Sequence, residues 1–331
     1  MRVLVTGGAG YIGAVSVDAL IAAGHEVVVL DDLSTGHRSA VPSDARLEAM
    51  SFGDEEAVAE LLTSARIEAI LHCAARSLVG ESVREPSRYY RANVVGGVAL
   101  LEAARQAGVG RMVFSSTAAV YGVPDSTPIT EDAALRPINT YGETKRTFET
   151  AMAAYGTAYG LRSVSLRYFN VAGATERLGE VHDPETHLIP NVLIAAQRRR
   201  DTLTLFGADY PTPDGTCIRD YIDVADLADA HLLALEATAP DDARTDQPVV
   251  LNLGTGGGFS VREVLQAAEA VVGRPIPHTL GPRREGDPPI LVASPARAES
   301  VLGWQPQRSS LEEMIGSAWD WRQRYPRGYT D

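Results

Sequence analysis

The chain has 331 residues, 45% of them apolar and 22% charged, the balance of a globular protein with room for two domains. Its formal charge of −13 argues against a nucleic-acid or anionic-membrane surface, and no apolar run is long enough to span a bilayer. Cys73 and Cys217 give no disulfide framework, and with no secretory leader before the first strand pattern the expectation is a cytoplasmic protein.

Val3-Leu4-Val5 reads as a short buried strand that runs into Thr6-Gly7-Gly8-Ala9-Gly10-Tyr11-Ile12-Gly13. Helical spacing follows through Val17, Leu20 and Ile21 to Gly24, and a second strand, Val27 to Leu30, ends in Asp31-Asp32. This is a βαβ unit with a Gly-x-x-Gly-x-x-Gly turn and an acid 18 residues beyond the last glycine. Glycines let the backbone approach a pyrophosphate, the helix N-terminus offers amide donors, and the acid accepts from the adenosine ribose hydroxyls. A ribose 2′-phosphate would face the Asp31 carboxylate, so the spacing predicts NAD rather than NADP.

The alternation continues with a strand at Leu47 to Met50, a helix after Asp54 and a strand at Ala69 to His72. A helix from Tyr89 to Ala107 ends at Gly108, and strands follow at Met112 to Phe114 and Val164 to Leu166. Such a chain predicts a doubly wound α/β fold with a parallel sheet, whose ligands lie at the carboxyl ends of its strands. Those ends are Gly7, Asp31, Ala74, Ser115 and Tyr168-Phe169-Asn170. Beyond about residue 175 the pattern loosens: a helix from Leu188 to Arg200, a strand from Leu203 to Phe206, and a helix from Val224 to Glu236 opened by Asp223. Val249 to Leu253 is a strand that can rejoin the first sheet, and Ser260-x-x-Glu263 is a capping box. The division expected is a dinucleotide-binding domain over 1–175, with segments within 222–254 packing back onto it, and a smaller mixed α/β substrate domain over 176–331.

Tyr141-Gly142-Glu143-Thr144-Lys145 is the stretch with chemistry of its own. Asn139-Thr140 can cap a helix there, and Phe148, Met152 and Tyr155 continue an apolar stripe. Four residues apart, Tyr141 and Lys145 share one helix face. A free phenol titrates near about 10, and a neighbouring ammonium favours its phenolate, so the pair is a candidate general base.

With Val79-Gly80-Glu81-Ser82, Phe114-Ser115-Ser116-Thr117, Arg167-Tyr168-Phe169-Asn170, Arg219-Asp220-Tyr221, Arg284-Glu285-Gly286-Asp287 and Trp319-Asp320-Trp321, the chain resembles the UDP-glucose 4-epimerase family of extended short-chain dehydrogenase/reductases nearly end to end. The resemblance implies tightly bound NAD, a UDP-hexose substrate, and C4 inversion through a 4-keto sugar. Tyr141 would be the base, Thr117 would hydrogen-bond the same oxygen, and Lys145 would hold the nicotinamide ribose and depress the Tyr141 pKa. NAD would lie on Gly7, Gly10, Tyr11, Ile12 and Gly13, with Asp31 and Asp32 at its ribose. Asp54, Ala74, Ala75, Asn93, Ser115 and Tyr168 complete that site. Arg219 and Arg284 would take the substrate pyrophosphate, Asp287 the uridine ribose, Phe206 the uracil, and Asn170, His187 and Leu188 the phosphate-sugar region. No metal ligand is assigned. The resemblance also implies a homodimer joined through the helices holding Tyr89–Ala107 and Tyr141–Tyr159.

Departures from the family pattern are Thr117 for serine, Asp32 for asparagine, Ser77 for lysine and His187 for asparagine. Leu291 falls where the family places a residue beside the hexose C2 substituent, so plain hexoses are expected to be preferred over N-acetylhexosamines. Other UDP-sugar 4-epimerases are the neighbouring alternative. Dehydratases and the UDP-glucuronate decarboxylase need acids or bases after the Thr117 position, where this chain has Ala118-Ala119. A non-catalytic NAD-binding protein on the same fold would not need Tyr141, Thr117 and Lys145 together. Without the resemblance, Asp287 pairing with Arg284 and Phe206 in the core are the simpler expectations.

Overall fold

The computed structural model describes residues 1–198, 202–284 and 287–330. Val3, Leu4 and Val5 are wholly buried, and a strand buried on both faces needs helices on either side. The chain supplies them in alternation: β1 (Arg2–Thr6), α1 (Tyr11–Ala22), β2 (Glu26–Leu30), β3 (Arg46–Glu48), α2 (Glu55–Ser64) and β4 (Ala69–His72). Next come α3 (Val79–Arg84), α4 (Pro86–Tyr89), a π-helical turn at Tyr90–Val95, α5 (Gly96–Gln106), β5 (Arg111–Thr117), α6 (Thr140–Tyr159) and β6 (Arg162–Tyr168). The helix expected as one piece from Tyr89 to Ala107 is therefore interrupted. Its π turn carries Asn93, which is buried with its amide bonded to Arg76 and Thr144.

The second half contributes β7 (Asn170–Ala172), α7 (Leu188–Arg198), β8 (Leu203–Phe206), β9 (Ile218–Arg219), β10 (Tyr221–Asp223), α8 (Val224–Ala237) and β11 (Val249–Leu253). It closes with β12 (Phe259–Ser260), α9 (Val261–Val272), β13 (His278–Gly281), β14 (Ile290–Leu291), α10 (Ala296–Leu302) and α11 (Leu311–Arg324). The last residues of the helix expected to reach Arg200 lie outside the described residues, as do Glu285 and Gly286.

The main sheet is parallel throughout and runs β11-β6-β5-β4-β1-β2-β3. Strand order reverses between β1 and β4, the switch point at which open α/β sheets bind ligands. β11 pairs with β6 from Val249↔Val164 to Leu253↔Tyr168, so this late strand does rejoin the first sheet. One face is closed by α1 and α8 through Val17, Leu20, Leu227 and Leu235, and the other by α2, α5 and α6 through Leu61, Leu100, Phe148 and Met152. A third apolar cluster joins α7, α9 and α11 around Leu193, Leu265 and Met314. Short strands, β9 between β12 and β14 and the parallel pairs β7–β10 and β8–β13, carry the remaining loops toward the switch point.

Candidate active site

A cleft of about 870 Å³ opens along the carboxyl edge of the sheet. At its floor β1 turns at Gly7 with φ +71°, and a Cβ there would lie 2.6 Å from the Ala74 backbone nitrogen, so only glycine admits the turn. A Cβ on Gly13 would meet the Gly7 carbonyl oxygen at 2.1 Å, which explains how α1 packs end-on against the turn. No acid occupies the first turn of α1, leaving its amide end available to an anion. Asp31 is held by the backbone N–H groups of Ala9 (3.0 Å) and Leu33 (2.9 Å), and burial raises its pKa. Two backbone donors leave its carboxylate acceptor capacity toward the cleft. These features fit a dinucleotide: a tight backbone cradle, a helix N-terminus, and an oriented acid at the end of β2.

Tyr141, Lys145 and Thr117 line the same cleft. Asn139 caps α6 by accepting from Gly142 N–H at 2.8 Å, which fixes where the helix begins and so where Tyr141 points. Burial pushes the Tyr141 hydroxyl up to about 12, while a hydrogen bond from Thr117 pulls it back. Lys145 donates to the Ser115 carbonyl at 2.7 Å, and its Nζ stands 5.8 Å from the Tyr141 ring centre. Burial lowers Lys145 to about 8, opposed by Cys73 and Glu149. The expected depression of Tyr141 by Lys145 is thus not what the protein alone produces; desolvation outweighs it.

Beneath the trio lies a polar network that carried no expectation. Ser116 Oγ donates to Glu149 at 2.5 Å, and Arg167 makes two bonds to Glu149, at 3.0 and 2.6 Å. Arg167 continues to Tyr121 (2.9 Å), and Tyr121 to Asn252 (2.7 Å). The network ties β5 and its Thr117 end to α6, one turn beyond Lys145. The visible hint was Glu149, placed four residues after Lys145.

Of the residues expected at the NAD site, Gly7, Gly10, Tyr11, Ile12, Gly13, Asp31, Asp32, Ala74, Ala75 and Tyr168 line the cleft. Three others lie off its wall. Asp54 instead caps α2 through Ala57 N–H, Asn93 is committed to Arg76 and Thr144, and Ser115 meets Lys145 through its carbonyl while its hydroxyl faces Cys73 and His231. Ser51-Phe52-Gly53, just before Asp54, form the wall there.

At the substrate end Asn170, His187, Leu188, Arg284, Asp287 and Leu291 line the cleft. Arg219 lies off the wall and is paired with Asp287, so the partner of Asp287 is Arg219 and not Arg284. Arg284 instead sits over Phe206, 4.4 Å from the ring centre. Phe206 also lies off the wall but, 37% exposed, is not a core residue. Cys73 and Cys217 are free thiols. Among the described residues no helix is long and apolar enough to cross a membrane.

Residues 3–254 match the sequence model described as the NAD dependent epimerase/dehydratase family. The chain is 49% identical to a UDP-glucose 4-epimerase of Lactobacillus helveticus, over all of both chains. It superposes on a UDP-glucose 4-epimerase from Brucella ovis in complex with NAD at TM-score 0.92, with 46% identity over 96% of this chain and 97% of that one. A UDP-glucose 4-epimerase from Bifidobacterium longum in complex with NAD+ and UDP also gives TM-score 0.92, with 34% identity over 99% of this chain and 100% of that one. The glycine turn, the parallel sheet and the match over most of the chain agree: the protein belongs to the NAD-dependent epimerase/dehydratase family.

Proposed function

We propose that the protein is a UDP-glucose 4-epimerase, inverting C4 of UDP-glucose and UDP-galactose reversibly with NAD as resident cofactor. The observation that carries this reading is the pairing of Tyr141 with Thr117 in a cleft whose next side chains, Ala118 and Ala119, transfer no protons. Oxidation of a secondary alcohol needs one proton acceptor, whereas elimination across C5 and C6 needs a further acid and base. NAD, when bound, supplies reversible two-electron oxidation, so the overall reaction is redox-neutral. The relatives of known structure with NAD or with NAD+ and UDP support both halves of the assignment.

Tyr141 takes the proton of the sugar 4-hydroxyl and later returns it, while Thr117 donates to the same oxygen. With one N–H on the Ser115 carbonyl, Lys145 has two left for the nicotinamide ribose. The Gly7 to Gly13 turn holds the cofactor pyrophosphate and Asp31 its adenosine ribose. Arg284 meets the substrate diphosphate, and Arg219 acts by fixing Asp287 for the uridine ribose. Bringing Tyr141 from about 12 toward neutrality falls to Lys145 and to the positive charge of oxidised nicotinamide.

The chain divides into a dinucleotide lobe over 1–175, joined by segments within 222–254, and a nucleotide-sugar lobe over the rest of 176–331, and the protein works in the cytoplasm as a homodimer. Exposed Tyr90 in the π turn before α5, Val98 on α5 and Tyr159 on α6 support contact through those helices. Incubating purified protein with UDP-glucose or UDP-galactose, without added NAD, should give the same mixture from either side. Dependence on added NAD, or a dehydrated product, would count against the reading.

A further inference from the structure

Glu180, His182, Glu185 and His187 come together just before α7, with one ligand atom from each lying within 4.8 Å of all the others. The loop arranges itself for this. Glu185 Oε1 accepts from the backbone N–H groups of Thr186 (2.7 Å) and His187 (2.9 Å), which leaves Oε2 to face His182 at 3.6 Å. Both carboxylates are nearly buried, at 8% and 7% exposure, and imidazoles are their ion-pair partners, with Arg322 the other cation facing them. His182 Nδ1 is buried and makes no hydrogen bond among the described residues, although it stands 3.2 Å from Glu180 Oε1.

Ligand atoms that converge on a point are what coordination requires; His187 Nδ1 and Glu180 Oε1 share a hydrogen bond that a metal would replace, and His182 Nδ1 has none among the described residues to give up. Zinc takes nitrogen and oxygen ligands at about 2.0–2.2 Å, and the edge of such a tetrahedron is about 3.3–3.6 Å. With Oε2 as the Glu185 ligand, His182 Nδ1 stands 3.2 Å from Glu180 and 3.6 Å from Glu185. His187 to Glu180 is 2.5 Å and would open by about an ångström. Two imidazoles with two carboxylates suit zinc, whereas calcium and magnesium ask for six or more oxygens.

The geometry points to a divalent transition-metal site, filled by zinc, held by Glu180, His182, Glu185 and His187 in the wall of the cleft. The sequence assigns no metal ligand, and of these four residues it places only His187 at the phosphate-sugar region. Glu180, His182 and His187 line the cleft, so a nearly buried carboxylate stands in the wall where a dianionic diphosphate would lie. A dication there cancels the charge of the two carboxylates and pins the loop leading into α7. This second consequence rests on the UDP-sugar reading; the metal site does not.

The test uses tag-free protein with its co-purified cofactor, stripped with chelator, equilibrated with zinc and freed of excess. Zinc per chain is measured for wild type, His182→Ala and the His182→Ala/Glu185→Gln double variant, with circular dichroism and retained NAD as controls for folding. About one equivalent is expected in wild type and almost none in the double variant, with a melting temperature that rises with zinc only in wild type. Cobalt in wild type should give the intense visible bands of a tetrahedral site, a readout independent of any variant. Zinc retention below about a tenth of an equivalent, equal retention in the variants, or octahedral cobalt bands would overturn the site and leave the epimerase reading standing. Calorimetry with UDP, with and without zinc, addresses the phosphate consequence. Tighter binding with zinc supports it, and unchanged affinity in zinc-loaded protein refutes that consequence alone.

Discussion

Replacing Tyr141 by phenylalanine removes one oxygen from the cleft and leaves the ring that packs there. In the folded protein that oxygen faces Thr117, so the loss of stability should be no more than about 1 kcal/mol, the net value of one hydrogen bond. The catalytic cost is larger. A phenol held at about 12 must be brought down by about 5 units to serve near neutral pH, which corresponds to about 7 kcal/mol of interaction with nearby cations. All of that is wasted on a ring without a proton site. General-base catalysis is worth about 10² to 10⁴, or about 3–5 kcal/mol of barrier, and the variant should lose turnover on that scale. NAD and UDP binding should survive, because Gly7, Asp31 and the Lys145–Ser115 bond do not involve the phenol oxygen. Following UDP-glucose conversion by NMR, with bound NAD measured on the same sample, separates the two effects. A variant that keeps more than half of wild-type turnover refutes Tyr141 as the base; one that has lost its NAD shows that the residue binds the cofactor instead.

Cofactor extracted from purified protein should be NAD by mass spectrometry, since a 2′-phosphate at the end of β2 would meet the Asp31 carboxylate; mostly NADP would contradict this. Leu291, in the cleft wall and packed against the cluster of Ala118, Val120, Tyr121 and Ile129, offers an acetamido group some room and no hydrogen bond, a loss of roughly 1–3 kcal/mol. UDP-N-acetylglucosamine should therefore be a weak substrate, and Leu291→Tyr should abolish that activity while sparing UDP-glucose. A kcat/KM for UDP-N-acetylglucosamine equal to that for UDP-glucose would dispose of the argument. Burial lowers the wholly buried His72 and His231 to about 3 and about 4. Their contribution is intact above the unfolded value near about 6.5, and it is lost as pH falls toward the folded values, by a few kcal/mol each on the order of the shift. The urea midpoint of His231→Gln should fall less than that of wild type between pH 7 and 5; parallel curves would show that His231 is not the linked group.

The glycine turn, the acid after β2 and the capped Tyr141 helix were legible because each is a local pattern that its own few residues enforce. Partner choice across the fold was not. Asp287 stands three residues after Arg284 in sequence, yet it pairs with Arg219, because β9 brings that arginine alongside while Arg284 stacks on Phe206. Asp54 and Asn93, expected at the cofactor, also cap a helix and hold the Arg76 loop, ties that their sequence neighbours do not reveal. The Tyr141–Lys145 spacing revealed proximity and said nothing of desolvation, which dominates once the helix is packed. Residues 180–187 read as an irregular loop, and only folding shows that four of its side chains meet at one point.

UDP-glucose carrying deuterium at C4, turned over in ordinary water without added NAD, addresses the central claim most directly. If Tyr141 moves only the hydroxyl proton while the C4 hydrogen is taken up and returned within one closed cleft, UDP-galactose should form with its deuterium retained at C4. Wash-out of the label into water, or its appearance at another carbon, would contradict the account.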